Sequence, residues 1–161
     1  MRRTAVLLAP MVLSLLLASG VALAVTKIGT DGPDNLMGTK GSDDLLGRGD
    51  TDWISGLGGN DVISGGPGHD DPLSSQAIGS LDGGRGADVI SGGPGRDDLW
   101  DGPWPSDSAV DILDGGGGSD FLGAENRPAA RDIVSCGAGR DETFVDRKDI
   151  VSGDCERIVR I

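Results

Sequence analysis

A nine-residue period begins at Gly29 and constrains the fold more than any other feature of the chain. In the first eight blocks, Gly occupies position one seven times, Asp occupies position six seven times, and an aliphatic residue occupies position eight seven times. Five extra residues, from Asp101 to Pro105, interrupt the period, which continues in less regular blocks as far as Val151. A fixed period of this length predicts a solenoid, in which each repeat is one unit stacked on others.

The composition provides little material for an ordinary hydrophobic core. The 161 residues include 29 Gly and 8 Pro, aromatic residues make up 3%, and the net charge is -12. Such an acidic, glycine-rich chain is expected to be disordered unless something else holds it together. The period supplies one inward aliphatic side chain per block. The predicted inward residues are Leu36, Leu45, Ile54, Ile63, Leu81, Ile90, Leu99, Leu113, Leu122, Val134 and Val151.

Each block combines a glycine-rich turn with a short strand. Glycines at positions one, two and four allow positive φ angles, which bring backbone carbonyl oxygens close together. Asp at position six adds an anionic oxygen beside them, and Ca²⁺ prefers six to eight such hard oxygen ligands. The three residues after the turn, such as Val89–Ser91, suit a strand whose middle side chain points inward. A repeat is therefore predicted to place a metal-binding turn beside a thin core.

The blocks at residues 83–91 and 92–100, GGRGADVIS and GGPGRDDLW, match the pattern G-G-x-G-x-D-x-U-x at every specified position. In this motif the chain resembles the RTX (haemolysin-type) calcium-binding nonapeptide repeat proteins over about residues 29–152. The resemblance implies an all-β, right-handed parallel β-roll in which two nonapeptides complete one coil and several Ca²⁺ ions bind between stacked turns. Regular repeats are expected over about 29–100, with degenerate repeats and an irregular, disulfide-stapled cap over 101–161.

The resemblance also implies the metal ligands. The expected carboxylates are those of Asp34, Asp43, Asp52, Asp61, Asp70, Asp88, Asp97, Asp111 and Asp120. The expected turn carbonyls are those of Gly29, Gly32, Gly38, Gly41, Gly47, Gly56, Gly58, Gly65, Gly68, Gly83 and Gly86.

Counting blocks alternately assigns the position-six residues to two edges of the roll. One predicted edge reads Asp34, Asp52, Asp70, Asp88, Asp111 and Asp132. The other reads Asp43, Asp61, Gly79, Asp97, Asp120 and Asp141. The best sites are then expected between Asp34 and Asp52, Asp52 and Asp70, Asp70 and Asp88, and Asp43 and Asp61. Sites around 101–135 are expected to be weaker, because incomplete glycine sets and insertions disturb the stacking.

Several residues depart from the pattern. Asp50 stands where a turn glycine is expected, and Pro72 falls on an inward strand position, which predicts a break near 72–80. Cys136 replaces the first glycine of its block, and Cys155 is the other cysteine. With no CxxC spacing or neighbouring histidine, the two cysteines are expected to form a disulfide in an oxidising compartment. The tail CERIVRI suits a capping strand.

The first 24 residues are typical of a secretory signal peptide. Arg2 and Arg3 precede an apolar run, and Ala22-Leu23-Ala24 suits cleavage after Ala24. An uncleaved membrane anchor is the alternative, although the run is short and contains Pro10. Cleavage would leave one domain, residues 25–161, without a membrane span and with 26 acidic and 12 basic residues. The sequence therefore predicts a secreted, extracellular protein.

No catalytic motif is present in the sequence. His69 is the single histidine and falls on a variable turn position, where a surface role is expected. GxSxG and GK[ST] motifs are absent, and the acidic charge argues against nucleic acid binding. The expected function is calcium binding, coupled to folding and without catalysis. The alternatives are a cell-surface adhesion or interaction module and, less favoured, a degenerate fragment of an RTX hydrolase or toxin.

Position seven points outward in a nonapeptide strand, yet four late repeats carry aliphatic residues there. These residues are Val89, Ile112, Ile133 and Ile150. Stacked in one column, they would form an apolar stripe on the roll. One interpretation is β-sheet propensity or cover by the C-terminal tail, and the other is a surface for a protein partner or a second copy.

Overall fold

The computed structural model describes residues 23–70, 81–102, 108–126 and 128–161. These residues form fifteen strands and no helix, which confirms the all-β class. The strands are β1 (Thr26–Ile28), β2 (Asn35–Thr39), β3 (Asp44–Leu46), β4 (Trp53–Leu57), β5 (Val62–Ser64), β6 (Leu81–Asp82), β7 (Val89–Gly95), β8 (Asp98–Trp100), β9 (Ile112–Gly118), β10 (Phe121–Ala124), β11 (Ile133–Ser135), β12 (Ala138–Gly139), β13 (Glu142–Val145), β14 (Ile150–Val151) and β15 (Arg157–Arg160).

The strands form two parallel sheets, and the chain alternates between them. Sheet one has the order β1-β3-β5-β7-β9-β11-β14, with β12 beside β9. Sheet two has the order β2-β4-β6-β8-β10-β13-β15. Every strand pair is parallel. Because each coil adds one strand to each sheet, the fold is the β-solenoid expected from the period.

The core is a double column of position-eight side chains. In sheet one the register stacks Leu45, Ile63, Ile90, Leu113 and Val134, and each is at most 1% exposed. In sheet two it stacks Ile54, Leu81, Leu99 and Leu122, all fully buried. Leu36 and Val151 pack against this cluster from the two ends while partly exposed. The predicted inward residues are therefore confirmed.

Two buried residues near the C-terminus extend the core beyond that prediction. Thr143 continues the sheet-two column next to Leu122, and its hydroxyl donates a hydrogen bond to the Leu122 carbonyl oxygen at 3.0 Å. Val145 is fully buried at the end of β13. A polar Thr at position eight escapes a search for aliphatic residues, and its hydrogen bond makes its burial tolerable.

The alternating block count fails between Asp70 and Leu81. Leu81 pairs with Ile54 and Leu99, so it takes the sheet-two position that the count assigns to Pro72. The Asp61 amide bonds to a residue 27 positions later, whereas the Asp43 amide one coil earlier bonds to a residue 18 positions later. Nine residues are thus added within one coil. Pro72 lacks an N–H for a ladder between two strands, and the break predicted near 72–80 lies outside the described residues.

The second interruption begins later than the period predicts. The Asp101 amide donates to the Gly123 carbonyl oxygen at 3.0 Å, as expected for a residue within the stacked coils. A Cβ on Gly102 would lie 2.0 Å from the Gly84 carbonyl oxygen, so Gly102 also packs on the preceding turn. The extra residues therefore follow Gly102, and residues 103–107, including Trp104, lie outside the described residues.

The C-terminal end is closed by a strand and a disulfide. β15 pairs with β13 and is the last strand of sheet two, which confirms the capping strand predicted from the tail. Cys136 and Cys155 form the predicted disulfide across 19 residues. Among the described residues, no helix has the length and apolar character needed to cross a bilayer. The signal peptide predicted for residues 1–24 lies almost wholly outside the described part of the chain.

Candidate metal sites at the edges of the roll

Position-six aspartates form two hydrogen-bonded ladders, one along each edge. In each ladder the backbone N–H of one aspartate donates to Oδ1 of the next. Edge one consists of Asp34, Asp52, Asp70, Asp97, Asp120 and Asp141, with N–H to Oδ1 donor–acceptor distances of 2.8 to 3.0 Å. Edge two consists of Asp43, Asp61, Asp88, Asp111, Asp132 and Asp149, with distances of 2.7 to 3.1 Å.

These ladders confirm three of the expected aspartate pairings and correct the fourth. Asp34 and Asp52, Asp52 and Asp70, and Asp43 and Asp61 are neighbours as expected. The pairing of Asp70 with Asp88 is wrong, because Asp70 bonds to Asp97 and Asp88 stacks on Asp61. The nine residues added after Asp70 exchange the two edges for every later repeat, and Gly79, which the count placed on the second edge, lies outside the described residues.

The second carboxylate oxygen, Oδ2, of five ladder aspartates has no hydrogen-bond donor among the described residues. Oδ2 is buried and accepts no hydrogen bond from the described residues at Asp61, Asp70, Asp97, Asp120 and Asp141. A buried anionic oxygen without a donor carries a large desolvation penalty. Edge one therefore presents a row of four such oxygens, and edge two presents one at Asp61, whose electrostatic partner is not a hydrogen-bond donor among the described residues.

The position-one glycines lie directly against these oxygens. A Cβ on Gly65 would lie 2.1 Å from Asp70 Oδ2 and 3.0 Å from the Gly92 carbonyl oxygen of the next coil. A Cβ on Gly56 would lie 2.3 Å from both Asp61 Oδ2 and the Gly83 carbonyl oxygen. The same arrangement recurs at Gly29, Gly38, Gly47 and Gly83. At each position-one glycine, a carboxylate oxygen and a carbonyl oxygen thus lie so close together that a side chain on the glycine would clash with both.

The position-four glycines allow the turns to stack. A Cβ on Gly86 would lie 1.5 Å from the Gly59 carbonyl oxygen, and a Cβ on Gly95 would lie 1.3 Å from that of Gly68. A Cβ on Gly59 would lie 2.5 Å from the carbonyl carbon of Gly41. Two other predicted ligands are less confined, since the space beside Gly32 and Gly58 has no neighbour closer than 3.6 Å.

Burial raises the pKa values of four ladder aspartates in the middle of the roll. Desolvation, opposed by the backbone hydrogen bond and reinforced by the neighbouring aspartate, raises the pKa of Asp61 and Asp70 to about 6. The same causes raise the pKa of Asp97 to about 7 and that of Asp120 to about 6. Bringing these carboxylates together as anions therefore requires positive charge nearby.

The residues of both edges fit a hard divalent cation. The available ligands are carboxylate and backbone carbonyl oxygens, which are the donors that Ca²⁺ takes in groups of six to eight. Soft metals favour thiolate ligands, and the sulfurs of Cys136 and Cys155 are joined in the disulfide. The donor set thus favours calcium over zinc or copper.

Edge one remains regular beyond residue 101, where disturbed stacking was expected. Gly116 and Gly118 have positive φ angles of 98° and 155°, and Asp97 and Asp120 are joined at 3.0 Å. Asp120 in turn is joined to Asp141 at 2.9 Å. The expectation of disturbed stacking is therefore wrong for edge one, because GGGGSD supplies the full glycine set. On edge two, the turns before Asp111 and Asp132 lack it.

Asp101 and Asn126 are functional candidates that the period did not identify. Carboxylate oxygens of Asp101, Asp111 and Asp132 lie within 4.8 Å of one another, and all three residues are buried. Burial and the charges of Asp111 and Asp132 raise the pKa of Asp101 to about 9. One signal was available: counting nine residues from Gly92 places Asp101 at position one. Asn126 has no such signal, because it lies between blocks.

The predicted apolar stripe is present on the outer face of sheet one. The register aligns Val89, Ile112, Ile133 and Ile150 in one column. These side chains are 40 to 45% exposed, and Val62, 50% exposed, extends the column by one strand. The C-terminal tail pairs in sheet two, so it does not cover the stripe.

Comparison with known proteins identifies the repeats. The family model of the RTX calcium-binding nonapeptide repeat matches four copies, at residues 28–63, 46–71, 79–100 and 107–123. Together the copies cover just over half of the 161 residues. No curated protein and no solved structure matches the chain.

Proposed function

Because the chain belongs to the RTX calcium-binding nonapeptide repeat family, we propose that it is a secreted protein that binds several Ca²⁺ ions between its stacked turns. The observation that supports this most strongly is the row of buried Oδ2 atoms that accept no hydrogen bond from the described residues at Asp70, Asp97, Asp120 and Asp141 of edge one, together with that of Asp61 on edge two. A Ca²⁺ ion between successive coils would bind these oxygens together with the carbonyls of the position-one glycines. It would also supply the positive charge that the buried aspartates require.

Substitution of one ladder aspartate tests this proposal. Asp61→Asn keeps an Oδ1 acceptor for the Asp43 amide but removes the charge from the second oxygen. We expect fewer bound Ca²⁺ ions per chain, counted by native mass spectrometry. Asp44→Asn is the matched control, because Asp44 is exposed on β3 and its loss changes the net charge equally. Equal calcium counts in wild type, Asp61→Asn and Asp44→Asn would contradict the proposed sites.

We further propose that calcium binding and folding are one process. The core is one side chain deep in each sheet, so apolar burial per residue is low for the ordering entropy of the chain. Buried aspartates along both edges also repel one another until a cation binds. The calcium-free chain is then largely unfolded at neutral pH, and binding free energy becomes folding free energy.

Export is supported by the first 24 residues, whose charged start, apolar run and small-residue site suit a cleaved signal peptide. Calcium at extracellular concentrations would then fold the chain after export. Protein recovered from the culture medium is expected to begin at Val25, which N-terminal sequencing measures. Retention of residues 1–24 on a membrane-bound product would instead identify an anchor.

The apolar stripe favours one alternative function, an interaction module. Val62, Val89, Ile112, Ile133 and Ile150 form a continuous exposed column, and a second copy facing it would bury both columns in one symmetric contact. Sedimentation velocity with calcium would then show a dimer that Ile112→Lys with Ile133→Lys disrupts. A monomer at all concentrations would reject this alternative.

A further inference from the structure

Asp101 occupies a turn position that holds glycine in the earlier coils of edge two. Gly83 lies at position one of the preceding coil, and its Cβ would contact the Asp101 carbonyl oxygen at 2.9 Å, so Gly83 and Asp101 are stacked. A Cβ on Gly83 would also lie 2.7 Å from Asp88 Oδ2 of its own repeat. A side chain at position one therefore points at the position-six carboxylate. At Asp101, that side chain is itself a carboxylate, and it points at Asp111.

Asp132 of the following coil completes the cluster. Asp101, Asp111 and Asp132 are 3%, 2% and 0% exposed, and each has a carboxylate oxygen within 4.8 Å of the other two. Asn126 Nδ2 donates to Asp101 Oδ2 at 3.2 Å and to Asp132 Oδ2 at 3.1 Å. The Ala130 amide donates to Asn126 Oδ1 at 2.7 Å, which fixes the orientation of the Asn126 amide.

Asp146 provides an independent observation beside Asp132. It is 6% exposed, and its Oδ2 is buried and accepts no hydrogen bond from the described residues. Its charge acts on both Asp132 and Asp149, and its amide donates to Asp149 Oδ2 at 2.7 Å. An unsatisfied, buried carboxylate oxygen therefore lies beside a cluster that already contains three acidic groups.

We propose that Asp101, Asp111 and Asp132 form a divalent-cation site built from side chains. It differs from the nonapeptide sites, where glycine turns supply carbonyl oxygens, because the turns before Asp111 and Asp132 lack those glycines. Three buried carboxylates within 4.8 Å repel one another unless a cation or protons compensate their charge. Oxygen ligands of this kind suit Ca²⁺. This inference rests on the proposed calcium binding, and it adds one site to those between the nonapeptide turns.

Removal of the Asp101 charge tests the site. Native mass spectrometry and calorimetric titration with CaCl₂ would compare wild type with Asp101→Asn and with Asp114→Asn. Asp114 is exposed on β9, so its substitution makes the same charge change outside the cluster. We expect Asp101→Asn to bind one Ca²⁺ fewer than wild type, whereas Asp114→Asn binds the full number. An unchanged calcium count and affinity in Asp101→Asn would overturn the proposal and leave protons as the compensating charge. If wild type itself binds no calcium, the proposed function fails as well.

A second variant tests the site even if Asp101→Asn fails to fold. Asn126→Asp adds a carboxylate beside Asp101 and Asp132. In a cation site, the added ligand increases calcium affinity and raises the midpoint of thermal unfolding in saturating calcium. If protons rather than a cation compensate the charge of the cluster, the new carboxylate adds a fourth acidic group and lowers the midpoint of thermal unfolding whether or not calcium is present. Lower thermal stability in saturating calcium would therefore overturn the proposal.

Discussion

The aspartate at position six uses its two carboxylate oxygens differently. Oδ1 accepts the amide N–H of the preceding coil, so it replaces part of the backbone ladder at the turn. At Asp61, Asp70 and Asp97, Oδ2 is left for another partner and is buried beside the position-one glycine. The period identified these aspartates because the same requirement recurs in every coil. It could not identify Asn126, whose role depends on a cluster that occurs once.

In the part of the chain that the structure describes, three non-glycine residues have the positive φ angles that the period reserves for glycine. They are Arg48, Asp50 and Leu57, with φ of 88°, 74° and 74°. Asp50 stands at position four, where the period predicts a turn glycine, and its left-handed backbone indicates local strain. Arg48 and Leu57 lie at position two, where later coils carry glycines such as Gly66 and Gly84 with φ of 103° and 98°.

Replacing Leu57 by glycine is expected to stabilise the calcium-bound roll. The left-handed conformation costs a residue with a Cβ about 1 kcal/mol, and the greater unfolded-state freedom of glycine offsets part of that gain. Leu57→Gly should therefore raise the free energy of unfolding by about 0.5 kcal/mol, measured by urea denaturation. Met37→Gly is a control with similar exposure, 45% against 46%, and without a positive φ. The Met37→Gly variant should have a lower free energy of unfolding than wild type. Equal changes in the free energy of unfolding of both variants would contradict the strain argument.

At the scale of strands and coils, the inserted residues set the limit of sequence prediction. An insertion of nine residues keeps the phase of a nine-residue period, so Leu81 stays in register with every other position eight. Period counting therefore cannot distinguish an inserted loop from a half-coil. The two signals were Pro72 on an inward position and the missing aspartate at Gly79.

Deletion of residues 72–80 tests the corrected register. It joins Asp71 to Leu81 and completes an ordinary nonapeptide, so the coils and both aspartate ladders should remain. We expect unchanged calcium stoichiometry and equal or slightly higher stability, since a shorter connection between two coils costs less entropy to close. The control is deletion of residues 84–92, which removes a true half-coil and transfers later turns to the wrong edge. That variant should lose its calcium-dependent β-sheet signal in circular dichroism. Loss of the signal on deleting 72–80 would contradict the corrected register.

At the scale of the whole molecule, acidic charge and calcium act together. The net charge is -12, and aspartates line both edges of the roll. Fold class and core followed from the period, because one inward residue per strand is a local rule. The stripe also followed, since position seven of alternate repeats lies in one sheet. The assignment of the late turns to the two edges could not be predicted from the period, because it depends on how many residues lie between successive strands.

Calcium-free protein is expected to become less stable as the pH rises from 5 to 8. Asp61, Asp70, Asp97 and Asp120 have pKa values of about 6 to 7 in the roll, against about 4 in an unfolded chain. The roll therefore binds more protons than the unfolded chain, so its free energy of unfolding falls as the pH rises through this range. The β-sheet signal of metal-free protein in circular dichroism, compared at pH 5 and pH 8, measures this, because little folded protein is expected at the higher pH. Greater stability at pH 8 would contradict the burial of these carboxylates, and saturating calcium should restore stability there.

The most direct test is far-UV circular dichroism of residues 25–161 at neutral pH, titrated with calcium after complete removal of metal. Magnesium, which demands a more rigid octahedral geometry, is the control ion. The account predicts an unfolded spectrum without calcium and a cooperative transition to β-sheet at about 0.1–1 mM, the range of extracellular calcium modules. A β-sheet spectrum that is complete without calcium would contradict it, because the disulfide and the thin core would then suffice to hold the aspartate ladders together.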